Sequence, residues 1–166
     1  QGGSAGLLRD GKGSTWEGGM RVVGIAWMPR RIKPGVNSQP ASTLDVFPTA
    51  LAQADIDPPS GVTLDGRDIS PLLFERKPLP ARPFFYYRGD QLYACRLGEF
   101  KAHFRTQIGY GQAKPEVHDP PLLFHLPRDP SERFNVAAQN PQIVEQIQKA
   151  VAAHRAAVVP GAPQLK

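Results

Sequence analysis

The chain holds a single cysteine in 166 residues, Cys95, so no intrachain disulfide is available to hold the fold. That scarcity does not fix a compartment, because secreted proteins need not carry disulfides. No stretch of 18 apolar residues occurs, so no membrane-spanning helix is expected and a membrane is not a predicted partner. No signal peptide is visible, and the chain opens on Gln1 and a loop-like Gln-Gly-Gly-Ser, which reads as a fragment or a processed product. Lys and Arg never gather in a block of five or six, and no aromatic-basic run has the form of an RNA-binding signature, so nucleic acid is not an expected partner.

What is present is positive charge and many chain-turning residues. Twenty Lys and Arg against fifteen Asp and Glu give a formal charge of +5. Such a balance favours anionic partners, although a solvated basic surface accounts for it equally well. Sixteen Gly and 18 Pro predict short elements joined by turns and long loops. Hydrophobic residues at 40% allow a modest core.

Residues 1–19 are Gly-rich and read as an ordered loop. Met20–Met28 is apolar and β-branched, which predicts a buried strand. Asp45 is placed to cap a helix over 46–54, with Pro48 in its first turn and Phe47, Leu51 and Ala54 on one face. The stretch 55–82 is loop-like, with one helical turn near Ser70–Leu73. Phe84–Tyr87 reads as a strand, and Gln91–Arg96 and Phe100–Thr106 as a hairpin around Leu97-Gly98-Glu99. Residues 107–121 read as a polar loop, Leu122–Leu126 as a short strand, and Arg128–Ser131 as a turn. Asn140 and Pro141 open a last helix whose buried face is Ile143, Ile147, Val151, His154 and Val158, ended by Pro160.

The sharpest local signal is Gly11-Lys12-Gly13. A lysine on a Gly-rich loop holds an oxyanion by point charge, with backbone amides converging on it, although a solvent-facing loop lysine has the same appearance. Gly6–Lys12 also fits the start of a nucleotide-binding P-loop. Gly13 then stands where Ser or Thr must hold Mg²⁺, and a strand rather than a helix is expected to follow, so that reading fails.

GLLRDGKGSTWEGGMR resembles the sulfatase loop in which the lysine of Gly-Lys-x-Thr-x-Glu-Gly-Gly binds substrate sulfate. The likeness continues in order through ASTLDVFPTALA, LDGRDISPLL, RPFFYYRGDQLYACRLGEFKAHF and LLFHLPRDPSERFNV. The last two segments are most similar to the arylsulfatase A and N-acetylgalactosamine-6-sulfatase branches, the latter above all. The resemblance implies an α/β, alkaline-phosphatase-like fold. Residues 1–78 would be the C-terminal part of the large α/β domain, and 79–166 a small α+β subdomain with an antiparallel sheet and a C-terminal helix. It implies hydrolysis of aryl or sugar sulfates by a formylglycine, made from Cys in a Cys-x-Pro-Ser-Arg context, with Ca²⁺ neutralising the sulfate. Cys95 is followed by Arg96-Leu97-Gly98 and so is not that precursor; it reads as a small packed strand residue.

The residues that the resemblance and the spacing nominate are few. The resemblance implies that Lys12 is the sulfate ligand. Lys101 and His103 share one strand face by period two and are candidates to line the substrate pocket. No metal ligands are expected within the chain, and the calcium ligands are expected elsewhere in the enzyme. The isolated chain is expected to be inactive, with the rest of the sulfatase as its partner and self-association through the exposed 20–28 strand. Asp10 stands where the two lysosomal branches carry a disulfide cysteine, which suits a bacterial periplasmic or secreted protein better than a lysosomal one; Asp10 is also placed to pair with Lys12. His118 and His125 lack ligand spacing, His154 reads as a packing residue, and Asp129 and Glu132 as turn and cap residues. The rival reading is a non-catalytic module that binds acidic polysaccharide, testable by salt-sensitive binding to a sulfated glycan.

Overall fold

The computed structural model describes residues 3–109, 114–159 and 161. Contacts divide the chain into two units: one joins the residues up to Val22 with those from Ala81 onward, and the other is Val23–Pro80.

The first unit is built on an antiparallel sheet in chain order: β1 (Pro83–Arg88), β2 (Gln91–Leu97), β3 (Phe100–Thr106) and β4 (Glu116–His125). The β2–β3 hairpin forms as the alternation predicts, with Leu97 opposite Phe100. Register explains how the sheet uses its two faces. Phe85, Cys95, Ala102 and Leu123 lie opposite one another across all four strands. They face α3 (Pro141–Ala157), whose buried Val144, Ile147 and Val151 join Cys95, Ala102 and Leu123 in one core. The flanking rows, Phe84–Arg96–Lys101–Phe124 and Tyr86–Ala94–His103–Leu122, face the opposite side. Trp16, Phe124 and Leu126 form a second, smaller core there.

β4 begins at Glu116, earlier than the loop expected over 107–121; residues 110–113 of that expectation lie outside the described residues. Pro120 and Pro121 are accommodated because β4 is an edge strand and its register shifts opposite His103–Arg105. In α3 the buried face is shifted from the expected one: Val144 is buried, whereas Val158 lies past the last turn and is exposed. His154 packs as expected, stacked on Phe85 with centroids 3.7 Å apart and its Nε2 2.8 Å from the Tyr87 hydroxyl. Asn140 makes no side-chain cap; its Nδ2 donates to Val136 O. Pro160 lies outside the described residues.

The second unit contains α2 (Val46–Gln53) and a single π-helical turn, Pro71–Glu75. Asp45 does not cap α2. Its carboxylate instead accepts the Ser42 amide, closing a capping box around the 3₁₀ turn Thr43–Asp45, and also accepts the Arg67 amide at 2.9 Å. The buried residues of α2 are Pro48 and Thr49, while Phe47 is exposed, so the expected apolar face is not the one covered.

Met20–Met28 is not a strand. Met20 ends the short helix α1 (Glu17–Met20), and residues 21–28 pair with no strand among the described residues. Val22, Val23, Ile25 and Trp27 are each more than 80% exposed. β-branched apolar residues favour a strand only where a neighbour accepts their backbone groups, and none is provided here.

Candidate functional site

The Gly-rich loop before α1 is an ordered coil laid on the charged side of the sheet. Its tight path depends on Gly18 and Gly19. A side chain on Gly18 would meet Asp10 O at 2.3 Å, and one on Gly19 would meet Ser14 O at 2.4 Å and Gly11 O at 2.5 Å. Only glycine allows α1 to press against residues 9–14 in this way. The same crowding recurs at Gly109, where a side chain would lie 2.6 Å from Lys12 O.

Lys12 stands at the outer turn of this coil and is exposed. It makes no ion pair among the described residues. Asp10 does not pair with it: Asp10 Oδ1 accepts the Gly11 amide at 2.8 Å and Oδ2 accepts the Gly109 amide at 3.0 Å. The carboxylate thus ties the loop to the segment after β3.

Beneath the coil lies a buried charged cluster. Lys101 and His103 share one face of β3, and neither has exposed surface. They therefore do not open onto a pocket in this chain; the coil covers them. Lys101 Nζ donates to Thr15 O at 2.7 Å and to Glu17 Oε1 at 2.9 Å, lies 3.3 Å from Glu132 Oε1, and sits over the Tyr86 ring. Glu132 Oε2 accepts the Glu17 amide, the first of α1, at 2.7 Å, and Oε1 is 2.7 Å from His103 Nε2. Arg96 approaches the other oxygen of Glu17 at 3.5 Å. Arg9 lies on the Trp16 ring, 3.8 Å from its centroid, and donates to Glu132 O at 2.7 Å.

Burial lowers the His103 pKa to about 4, because it disfavours the imidazolium more than the Glu132 hydrogen bond favours it; Lys101 nearby adds to the lowering. His103 is thus neutral near pH 7. Since Nε2 faces a carboxylate, Nε2 carries the proton and Nδ1 is the bare nitrogen, buried without a hydrogen-bond partner among the described residues. Burial pushes the Glu132 carboxyl upward, but the His103 hydrogen bond and the Lys101 charge outweigh it, and the net shift is downward. Burial and the Glu17 charge both raise the Tyr86 phenol. Burial also raises the Cys95 thiol to about 12, so Cys95 is an inert packed thiol in β2, in keeping with its sequence context.

The sequence gives Glu17 no role of its own and reads Glu132 as a turn or cap residue; the structure buries both in the cluster. The signal for Glu17 was its place in Thr-x-Glu-Gly-Gly. Glu132 was hidden in Asp-Pro-Ser-Glu-Arg, where Asp129 does cap the turn by accepting the Arg133 and Phe134 amides at 2.7 and 2.8 Å. Glu132, at φ +49°, instead turns inward and is fully buried. Beside the coil, an open polar hollow of about 490 Å³ is lined by Leu7, Leu8, Arg9, Ser131 and Arg133.

Among the described residues, no three His, Cys, Asp or Glu side chains converge as metal ligands require. The two carboxylates of the cluster, Glu17 and Glu132, are committed to Lys101, Arg96, His103 and a backbone amide, so these residues do not fit a calcium site.

Residues 79–166 match the family model described as the C-terminal region of aryl-sulfatase, and residues 2–56 match the sulfatase model. N-acetylgalactosamine-6-sulfatase of Sus scrofa is 39% identical over 99% of this chain and 36% of its own length. Human arylsulfatase A is 39% identical over 90% of this chain and 33% of its own length. The chain thus spans about a third of the length of these curated relatives. Among solved structures, PsFucS1 sulfatase from Pseudoalteromonas sp. superposes with a TM-score of 0.78 at 27% identity, covering 89% of this chain and 32% of that one. A Bacteroides thetaiotaomicron sulfatase superposes with a TM-score of 0.73 at 26% identity, covering 91% and 32%. The four-stranded antiparallel sheet and terminal helix agree with the C-terminal portion of that fold. With both family models matched in order along it, the chain belongs to the sulfatase family.

Proposed function

We propose that these residues form the C-terminal portion of a sulfuric ester hydrolase acting on aryl or sugar sulfates, in which Lys12 binds the sulfate group. The observation that carries the reading is an exposed ammonium on a tightly held Gly-rich loop of the sulfatase pattern. A fixed positive charge facing the sulfate oxygens stabilises the negative charge that spreads over them in the transition state, and it does so without reorganising at the moment of reaction. The formylglycine nucleophile and the calcium ion implied by the family resemblance belong, in this reading, to other segments of the enzyme, and the remainder of the sulfatase is this chain's partner.

Lys12→Ala in the full-length enzyme tests the role. Loss of one preorganised group of this kind costs about 2–4 kcal/mol in the barrier, so kcat for an aryl sulfate falls by about 10²–10³. Turnover close to wild type rejects Lys12 as the sulfate ligand. The 166-residue chain alone is inactive in this reading, and hydrolysis by the pure chain above a no-enzyme blank rejects that.

A further inference from the structure

We propose that Glu132 and Lys101 are positioning residues for Lys12, holding from below the loop that presents it; this rests on the reading of Lys12 as the sulfate ligand. The two side chains do more than neutralise each other. Each also grips main chain of the loop: Lys101 Nζ takes the Thr15 carbonyl at 2.7 Å, and Glu132 takes the Glu17 amide at 2.7 Å. An acceptor and a donor two residues apart fix both the place and the tilt of the peptide units between them. On the other flank of Lys12, Asp10 takes the Gly109 amide at 3.0 Å. Lys12 therefore projects from a span pinned at both ends.

Pinning matters because a lysine side chain is a flexible stem with a point charge, so its aim is only as good as its base. The cluster also leaves the field of Lys12 intact. Glu17 and Glu132 are matched by Lys101 and Arg96, and His103 is neutral, so no uncompensated carboxylate sits beneath the anion site. Residues that merely filled the space under the loop would serve folding as well, since well-packed apolar groups often match a buried ion pair in stability. What they would not supply is the directed hold on Thr15 O and Glu17 N.

The test combines kinetics with amide exchange in the full-length enzyme. Glu132→Gln speeds exchange of the Glu17 amide by at least about tenfold. It lowers kcat/KM for an aryl sulfate and weakens inhibition by inorganic sulfate, each by about 10- to 100-fold, the effect of a misplacement near 1 Å. Because Glu132 acts through Lys12, Lys12→Ala/Glu132→Gln loses no more activity than Lys12→Ala alone. Additive losses, or unchanged exchange at Glu17, overturn the proposal. Where Glu132→Gln fails to fold, Glu132→Asp keeps the buried charge and withdraws the carboxylate by one methylene from the Glu17 amide. It speeds exchange at Glu17 and shows the same non-additivity with Lys12→Ala; additive losses there overturn the proposal equally. Full activity of Lys12→Ala overturns the reading of Lys12 itself, and the exchange measurement, which does not depend on catalysis, separates that failure from failure of the hold.

Discussion

His103 Nε2 and Glu132 Oε1 lie 2.7 Å apart, and neither side chain has any exposed surface. The sign of their effect with pH follows. The His103 pKa falls from 6.5 unfolded to about 4 folded, so between those values the unfolded chain holds a proton that the folded chain lacks. Stability therefore falls on acidification from pH 6.5 toward 4, by at most about 3 kcal/mol from this residue. Glu132, also lowered, acts in the same direction: its contribution is present above 4.5 and is lost as pH falls through its folded value. Denaturant midpoints between pH 4 and 7 check this, and His103→Gln flattens the profile in that window.

Lys101→Met keeps most of the length of the buried side chain and removes its charge. Glu17 then keeps Arg96 at 3.5 Å and the Tyr86 hydroxyl at 3.4 Å, and Glu132 keeps neutral His103 and the Glu17 amide but no cation at its carboxylate among the described residues. Leaving buried carboxylates under-compensated costs about 3–5 kcal/mol. Urea unfolding measures the loss, and adding Glu17→Gln recovers part of it.

Gly18→Ala places a methyl group 2.3 Å from Asp10 O, which is backbone and cannot swing away. The strain is about 1–3 kcal/mol, and relieving it moves residues 9–14 off α1. A lower melting temperature together with faster proteolysis within the Lys12 loop is the expected pair of results.

Trp27→Ser removes a side chain that is 83% exposed. The folding stability of the isolated chain changes by less than about 0.5 kcal/mol, as for surface substitutions in general. The self-association expected of the exposed Val22–Trp27 segment weakens with it; sedimentation velocity over a range of concentrations checks this, and a chain that stays monomeric without the substitution rejects the expectation. Ile147→Ala, in the core between α3 and the sheet, costs about 2–5 kcal/mol instead.

Local pattern made much of the first unit legible. Alternation around Leu97-Gly98-Glu99 gave the hairpin, and Pro141 with the spacing of Ile147 and Val151 gave α3. Alternation also put Lys101 and His103 on one face. It did not say what covers that face, because the cover comes from Thr15–Glu17, more than 80 residues away. Glu132 was misread for the same reason: its short-range context is that of a surface turn, and its burial depends on an amide 115 positions earlier. The run 20–28 failed in the opposite way, since apolar composition reports a tendency to be covered and not the presence of a cover.

The alternation of β3 also guards the order in which the strands pair. A slip of one residue against β2 would turn Lys101 toward Ile147 and Val151 and leave Ala102 beneath Thr15 and Glu17. The ammonium would be stranded in hydrocarbon while the loop lost both of its grips. Two faces of opposite character make that mispairing costly on each side at once, so the cluster that holds the loop also works as a checksum on the sheet.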